Sequence, residues 1–242
     1  MLPLLEERFD VLAPDLPGFG HSPPLPDNEG CDPERLADAV EEAMDEAGFE
    51  TAHISGNSLG GWIALILARR GRARTCVPIS PAGLLHARES GWARGVLLSM
   101  RWMTRNAPPP PALLGHPVTR TMCAGPPLAR PWRADPDEMI ESFELFANSP
   151  GFDRTLDATV DVQAAGLPDI TCPVLILWGT RDVILIPRQG RRFERLIPNC
   201  ELRYLKGLGH VPMSDDPELL SEAITDFARA HRASERTVAV EV

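Results

Sequence analysis

No uninterrupted apolar stretch in this chain approaches the ~20 residues that a membrane-crossing helix needs. The longest runs, around Trp62 to Ala68 and Val174 to Trp178, are the size of core elements. The first residues, MLPLLEERFD, lack the basic stretch followed by an apolar one that marks a secretion signal, so a cytoplasmic location is expected. Cysteine is sparse: Cys31, Cys76, Cys123, Cys172 and Cys200 are odd in number, widely spaced and make no CxxC pair. That pattern points away from a disulfide framework or zinc knuckle and toward buried free thiols in a reducing compartment. Basic residues form no long run, and the net charge is −10. Phosphate backbones and anionic lipid both require a clustered positive field, so neither nucleic acid nor a membrane is an expected partner. There is no internal repeat and no metal pattern of the HExxH kind.

What is present is an ordinary globular composition, 43% hydrophobic and 24% charged over 242 residues. A chain of this size can bury roughly 70–75% of the surface it exposes unfolded, enough for one substantial core. Short apolar runs alternate with helical patterns: FDVLAP, DPERLADAVEEAMDEAG, TAHISG, SLGGWIALILARRG, TCVPIS, and later CPVLILWG and CELRYLKG. Strand, helix, strand, helix predicts an α/β fold, a mostly parallel sheet with helices on both faces. Asp32 and Pro33 open the first long helix, Leu36, Val40 and Met44 form its buried stripe, and Gly48 stops it. Asp216 and Pro217 repeat the device for the last helix, with Leu220, Ile224 and Phe227 as the stripe; Asp215 and Asp216 together read as its start.

The alternation breaks between about Leu84 and Gly166, where Pro108 to Pro111, three tryptophans and the helical stripe Met139, Phe143, Phe146 occur. Residues 84–166 therefore read as a helical cap insertion, residues 1–83 and 167–230 as the core, and 231–242 as a flexible tail. The proline run reads as a rigid loop between cap helices rather than a polyproline ligand. Trp92, Val96, Met100 and Met103 fall at helical spacing, suited to packing within the cap and secondarily to lining an apolar substrate site.

Gly56, Asn57, Ser58, Leu59, Gly60 and Gly61 sit between an apolar strand run and a helical pattern. This is GxSxG in the strand-turn-helix context that thrusts a serine from a sharp turn, with glycines where side chains would collide. Such a turn puts Ser58 at the carboxyl end of a parallel strand and the next helix's N–H groups toward developing negative charge, making the Leu59 N–H the oxyanion donor. A nucleophilic serine needs a base and an acid that orients it. The run PVLILWG leads to Asp182, and the run ELRYLKG leads through Leu208 and Gly209 to His210, which places both beyond strand ends on the rim that carries Ser58. His21, His53, His86, His116 and His231 do not follow the final strand and read as ordinary structural residues. The strand before Asp182's leads only into Ser80, Pro81, Ala82 and Gly83, leaving Asp182 as the well-placed acid.

With DLPGFGHS, GNSLGG, WGTRD and GLGHVP in this order, the chain resembles the α/β-hydrolase superfamily from Leu2 to Ala228, and within it the branch of carboxylesterases, meta-cleavage carbon–carbon hydrolases and cofactor-free haloperoxidase-like enzymes. A dinucleotide-binding reading of LPGFGHSPP fails because proline follows where a helix should open. The resemblance implies a serine hydrolase of a small carboxylic ester or related acyl substrate, with no cofactor and no metal, working through Ser58, Asp182 and His210. Its partner is a small, apolar acyl compound, and a homo-oligomer is left open. Dehalogenase and epoxide-hydrolase relatives use an aspartate nucleophile, and Ser58 argues against both. Alternatives are a carbon–carbon hydrolase of the meta-cleavage type, or an inactive remnant. The family usually has further strands before Leu2, one ending in an HG-type loop that supplies a second oxyanion N–H. The third of these belongs between the strand at Phe9 to Ala13 and the strand at Ala52 to Ser55, so its loss opens a gap in mid-sheet. Of two explanations, a true truncation or a Met1 that is internal to a longer chain, the second is favoured.

Overall fold

The apolar runs become the strands of one parallel sheet in a computed structural model that describes residues 1–231 and the backbone of 238–241. In chain order the elements begin with α1 (Leu2–Glu6), β1 (Asp10–Leu12), α2 (Pro33–Glu46), β2 (Ala52–Asn57), α3 (Leu59–Arg69) and β3 (Ala73–Ile79). The helical segment follows: α4 (Ala87–Asn106), α5 (Pro111–Leu114), α6 (Pro117–Cys123), α7 (Pro136–Asn148) and α8 (Phe152–Thr159). The chain then returns to the sheet through β4 (Val174–Gly179), α9 (Gly190–Leu196), β5 (Cys200–Leu205), α10 (Pro212–Asp215), α11 (Pro217–Ala230) and β6 (Val238–Glu241). The spatial order is β1-β6-β2-β3-β4-β5, with every pairing parallel.

Side chains alternate across the pleat, so β4 sends Val174, Ile176 and Trp178 into one core and Leu175 and Leu177 into the other. The first core is closed by α2, α3 and Phe193 of α9; the second by Leu5 of α1 and Leu220, Ile224 and Phe227 of α11. Covered on both sides, β4 is buried at every position, which explains its unbroken apolar run. The expected punctuation is in place. Asp32 accepts from the N–H groups of Glu34 and Arg35, Gly48 takes a positive φ of 79°, and Pro108 to Pro110 link α4 to α5, which opens on Pro111.

The expected gap in mid-sheet is not there: β6 lies between β1 and β2 and pairs with both, which corrects that expectation. Val238, Ala239 and Val240 pair with Asp10, Val11 and Leu12, while Ala239, Val240 and Glu241 pair with His53, Ile54 and Ser55. This corrects the expectation of a flexible tail for 238–241; residues 232–237 and 242 of that tail lie outside the described residues. The cause is backbone chemistry: β1 and β2 each present a row of N–H and C=O groups whose burial without partners costs about 1–3 kcal/mol apiece.

Candidate active site

Ser58 occupies the single-residue turn between β2 and α3 with φ 57° and ψ −112°, a conformation that non-glycine residues adopt at a cost of order 1–3 kcal/mol. The turn is held from several directions. The Ser58 N–H donates to the Ile79 carbonyl at 2.9 Å, and the Ser58 carbonyl accepts from Trp62 at 3.1 Å and Ala82 at 2.9 Å. A Cβ on Gly61 would lie 3.0 Å from the Gly56 carbonyl oxygen and 3.1 Å from Pro81, so the last glycine of GNSLGG is where strand, helix and the β3 exit converge. Leu59 is the first residue of α3, where N–H groups have no acceptor within the helix.

Asp182 follows β4 and is 3% exposed; one carboxylate oxygen accepts from the N–H groups of Ile184 and Leu185, both at 2.9 Å, and the other faces His210 Nδ1 at 2.8 Å. An ionised carboxylate only accepts, so Nδ1 carries the proton and Nε2 is left as the basic nitrogen. The loop after β5 that carries His210 is fixed at three further points. Asn57 Nδ2 donates to the His210 carbonyl at 2.9 Å while also reaching the Ile79 carbonyl at 3.1 Å, which ties the elbow to this loop. The Gly209 N–H donates to Asp215 Oδ2 at 2.7 Å, and the Val211 N–H to the Pro127 carbonyl at 3.1 Å. A Cβ on Gly179, at the end of β4, would overlap the Leu208 and Gly209 carbonyls, so the two loops lie directly against each other.

Asn57, Asp215 and Pro127 carry structural weight that the sequence did not reveal. Asn57 sat in the variable position of the motif, and Asp215 was assigned to the last helix, whose cap Asp216 alone supplies. Asp215 instead turns inward, fully buried, and also accepts from the N–H groups of Ala129 and Arg130. Three of the other histidines have structural partners. His53 bonds Thr75 in the core at 2.7 Å, and His86 and His116 cap α4 and α6.

A cavity of about 190 Å³ opens over Ser58 and Leu59, walled by Phe19, Leu97, Phe152, Ile184 and other apolar side chains. Ala93 and Leu97, rather than Trp92 or Val96, are the α4 residues that line it. Trp92 is instead 57% exposed, its indole N–H donating to the Val183 carbonyl at 2.7 Å. All five cysteines are free; Cys31 and Cys76 are buried and the other three half-buried. Burial pushes the Cys172 thiol up to about 11 and, with help from Glu194 and Glu201, that of Cys200 to about 12. Among the described residues no group of three His, Cys, Asp or Glu side chains is arranged to hold a metal ion, and no helix is long and apolar enough to cross a membrane.

Residues 1–223 match the alpha/beta hydrolase family. The chain is 34% identical over 210 residues to epoxide hydrolase EphH of Mycobacterium tuberculosis, an alignment spanning 79% of this chain and 92% of that one. Among solved structures, a thermophilic esterase from Thermogutta terrifontis superimposes with a TM-score of 0.66 at 22% identity, covering 90% of this chain and 79% of its own. A meta-cleavage product hydrolase from Pseudomonas fluorescens gives 0.69 at 19% identity, covering 96% and 84%. The chain belongs to the alpha/beta hydrolase family and is a hydrolase.

Proposed function

We propose that the protein hydrolyses a small carboxylic ester or related acyl substrate with Ser58 as nucleophile, His210 as base and Asp182 as the acid that orients it, and that residues 84–166 act as a cap over the site. The observation that carries this reading is the buried 2.8 Å contact between His210 Nδ1 and Asp182, at the sheet edge where the strained Ser58 turn also lies. In the reaction His210 Nε2 takes the Ser58 hydroxyl proton as Oγ bonds to the carbonyl carbon, and the Leu59 N–H faces the oxygen that gains charge. The same proton passes from His210 to the leaving oxygen as the carbon–oxygen bond breaks. Water then gives a proton to His210 and attacks the acyl-enzyme; return of that proton to Ser58 releases the carboxylic acid.

The similarity to a protein named an epoxide hydrolase raises a chemical contrast. Serine attack on an epoxide leaves an ether, with no carbonyl at which water can cleave it, whereas serine attack on an ester leaves an acyl-enzyme that water resolves. Carbon–carbon cleavage of a ring-fission product is a second acyl chemistry for the same three residues. The residues lining the Ser58 cavity include no charged side chain to receive such a substrate's carboxylate, which favours an uncharged ester.

The test is turnover of 4-nitrophenyl butyrate, styrene oxide and a meta-cleavage dienoate by the purified protein, alongside fluorophosphonate labelling. Ester turnover and labelling are expected, both lost in Ser58→Ala with kcat lowered by about 10³-fold or more. Folded protein that neither labels nor cleaves esters overturns the proposal, as does turnover confined to the epoxide or the dienoate.

A further inference from the structure

A second cavity, of about 290 Å³, lies between the helical segment and the residues after β5, and shares one lining residue with the Ser58 cavity, Phe146. The helices explain the arrangement. Along α4, Leu97 faces the Ser58 cavity, and Met100 and Thr104, one and two turns further on, face the second. Along α7, Phe146 faces both, while Phe143 and Met139 face only the second. Both spaces border α4 and α7, and Phe146 stands between them as the residue they share.

That ring is fastened. It meets Phe152 edge to face, with centroids 5.0 Å apart at 80°, and the Arg101 guanidinium lies 5.8 Å from its centroid and 4.9 Å from that of Phe152. Arg101 also donates to the Phe146 and Ser149 carbonyls, so the same buried cation holds the backbone at the end of α7. Phe146 is a fixed partition, and what passes it is set by shape.

Building on the serine-hydrolase reading above, we propose that the chamber beyond Phe146 receives the leaving group, and that the substrate is an ester joining a compact acyl group to a larger, uncharged apolar alcohol. The assignment follows from the reaction's direction. The acyl carbon stays on Ser58 with its oxygen toward Leu59, and both residues line the smaller chamber. The leaving oxygen takes its proton from His210 and departs on that side, where Val211, the next residue, lines the larger chamber. Met100, Met103 and Met139 give that chamber adaptable apolar walls, and Asp135 and Glu138 at its lining disfavour a leaving group that carries phosphate or carboxylate.

The experiment compares two matched series on the intact protein: acetate esters of methanol, hexanol and 2-naphthol, and methyl esters of acetic, hexanoic and naphthoic acids. The wild type is expected to gain in kcat/KM with alcohol size and to gain little with acyl size. Plugging the larger chamber with Ser142→Phe, or independently with Ala124→Leu, should lower the ratio of naphthyl acetate to methyl acetate kcat/KM by about tenfold. Phe146→Ala, which widens the passage between the chambers, should raise relative turnover of methyl naphthoate. Because each readout is a ratio within one variant, loss of folded protein cancels from it. A plug that depresses the long-acyl series instead, or leaves every ratio unchanged, overturns the inference while leaving the hydrolase reading intact. Failure of all esters together with absent Ser58 labelling overturns both.

Discussion

Asp215 illustrates how much of the site depends on single residues with no motif of their own. Its carboxylate gathers the N–H groups of Gly209, Ala129 and Arg130, and so joins the His210 loop to a loop from between β3 and β4. Asp215→Ala leaves those donors buried without an acceptor, and stability to urea should fall by about 3 kcal/mol. Fluorophosphonate labelling of Ser58 should slow as well, in native buffer where the variant is still folded. An unchanged labelling rate would confine Asp215 to a structural role. The sequence pointed to Ser58, Asp182 and His210 as candidates because each follows a strand pattern in an order with chemical meaning, and the structure sets Asp182 against His210 at 2.8 Å. It could not separate Asp215 from Asp216, since local capping accounts for either and the distinguishing partners lie some 86 residues away.

At the scale of elements, the start of α4 governs how the helical segment is attached to the sheet. Glu89 forms a capping box with His86 and pairs with Arg192 at 2.5 Å and Arg188 at 3.1 Å, both from the region of α9. Burial alone would raise its pKa, but bonds from Arg192, the His86 N–H and Arg188 outweigh burial and bring the carboxyl from 4.5 to about 2. A depressed folded pKa stabilises the native state fully above 4.5 and progressively less as pH falls toward 2. Glu89→Gln should therefore melt below the wild type at pH 7, and the two curves should converge as the pH drops toward 2; a constant gap would exclude this linkage. The helices themselves were legible from their stripes and caps, as α2 and α11 demonstrate. The cavity walls were not: Trp92, Val96, Met100 and Met103 share one helical spacing, yet in the packed structure Ala93 and Leu97 line the Ser58 cavity while Trp92 meets solvent.

For the whole molecule, the decisive feature is the strand order. The sequence pointed to an unfilled place between β1 and β2 because the family pattern requires a strand there. That the chain's own last residues fill it was not legible, since four residues without flanking periodicity carry too little signal to be told from a tail. Pairing on both edges makes β6 an interior strand, so Ala239→Pro, which removes an N–H opposite Val11 and His53, should cost about 3 kcal/mol or more. Amide exchange in Asp10–Leu12 and His53–Ser55 should accelerate in that variant, while β4 and β5 stay protected; unchanged exchange would show that β6 contributes nothing to the sheet. The same order has a temporal side. β1 and β2 come early in the element order and Val238 follows every other strand, so the pairings of β6 join segments far apart in sequence and are slow to form. Until they form, the Ser58 strand stands beside an open lane, so closure of the sheet is expected to be a late event in folding.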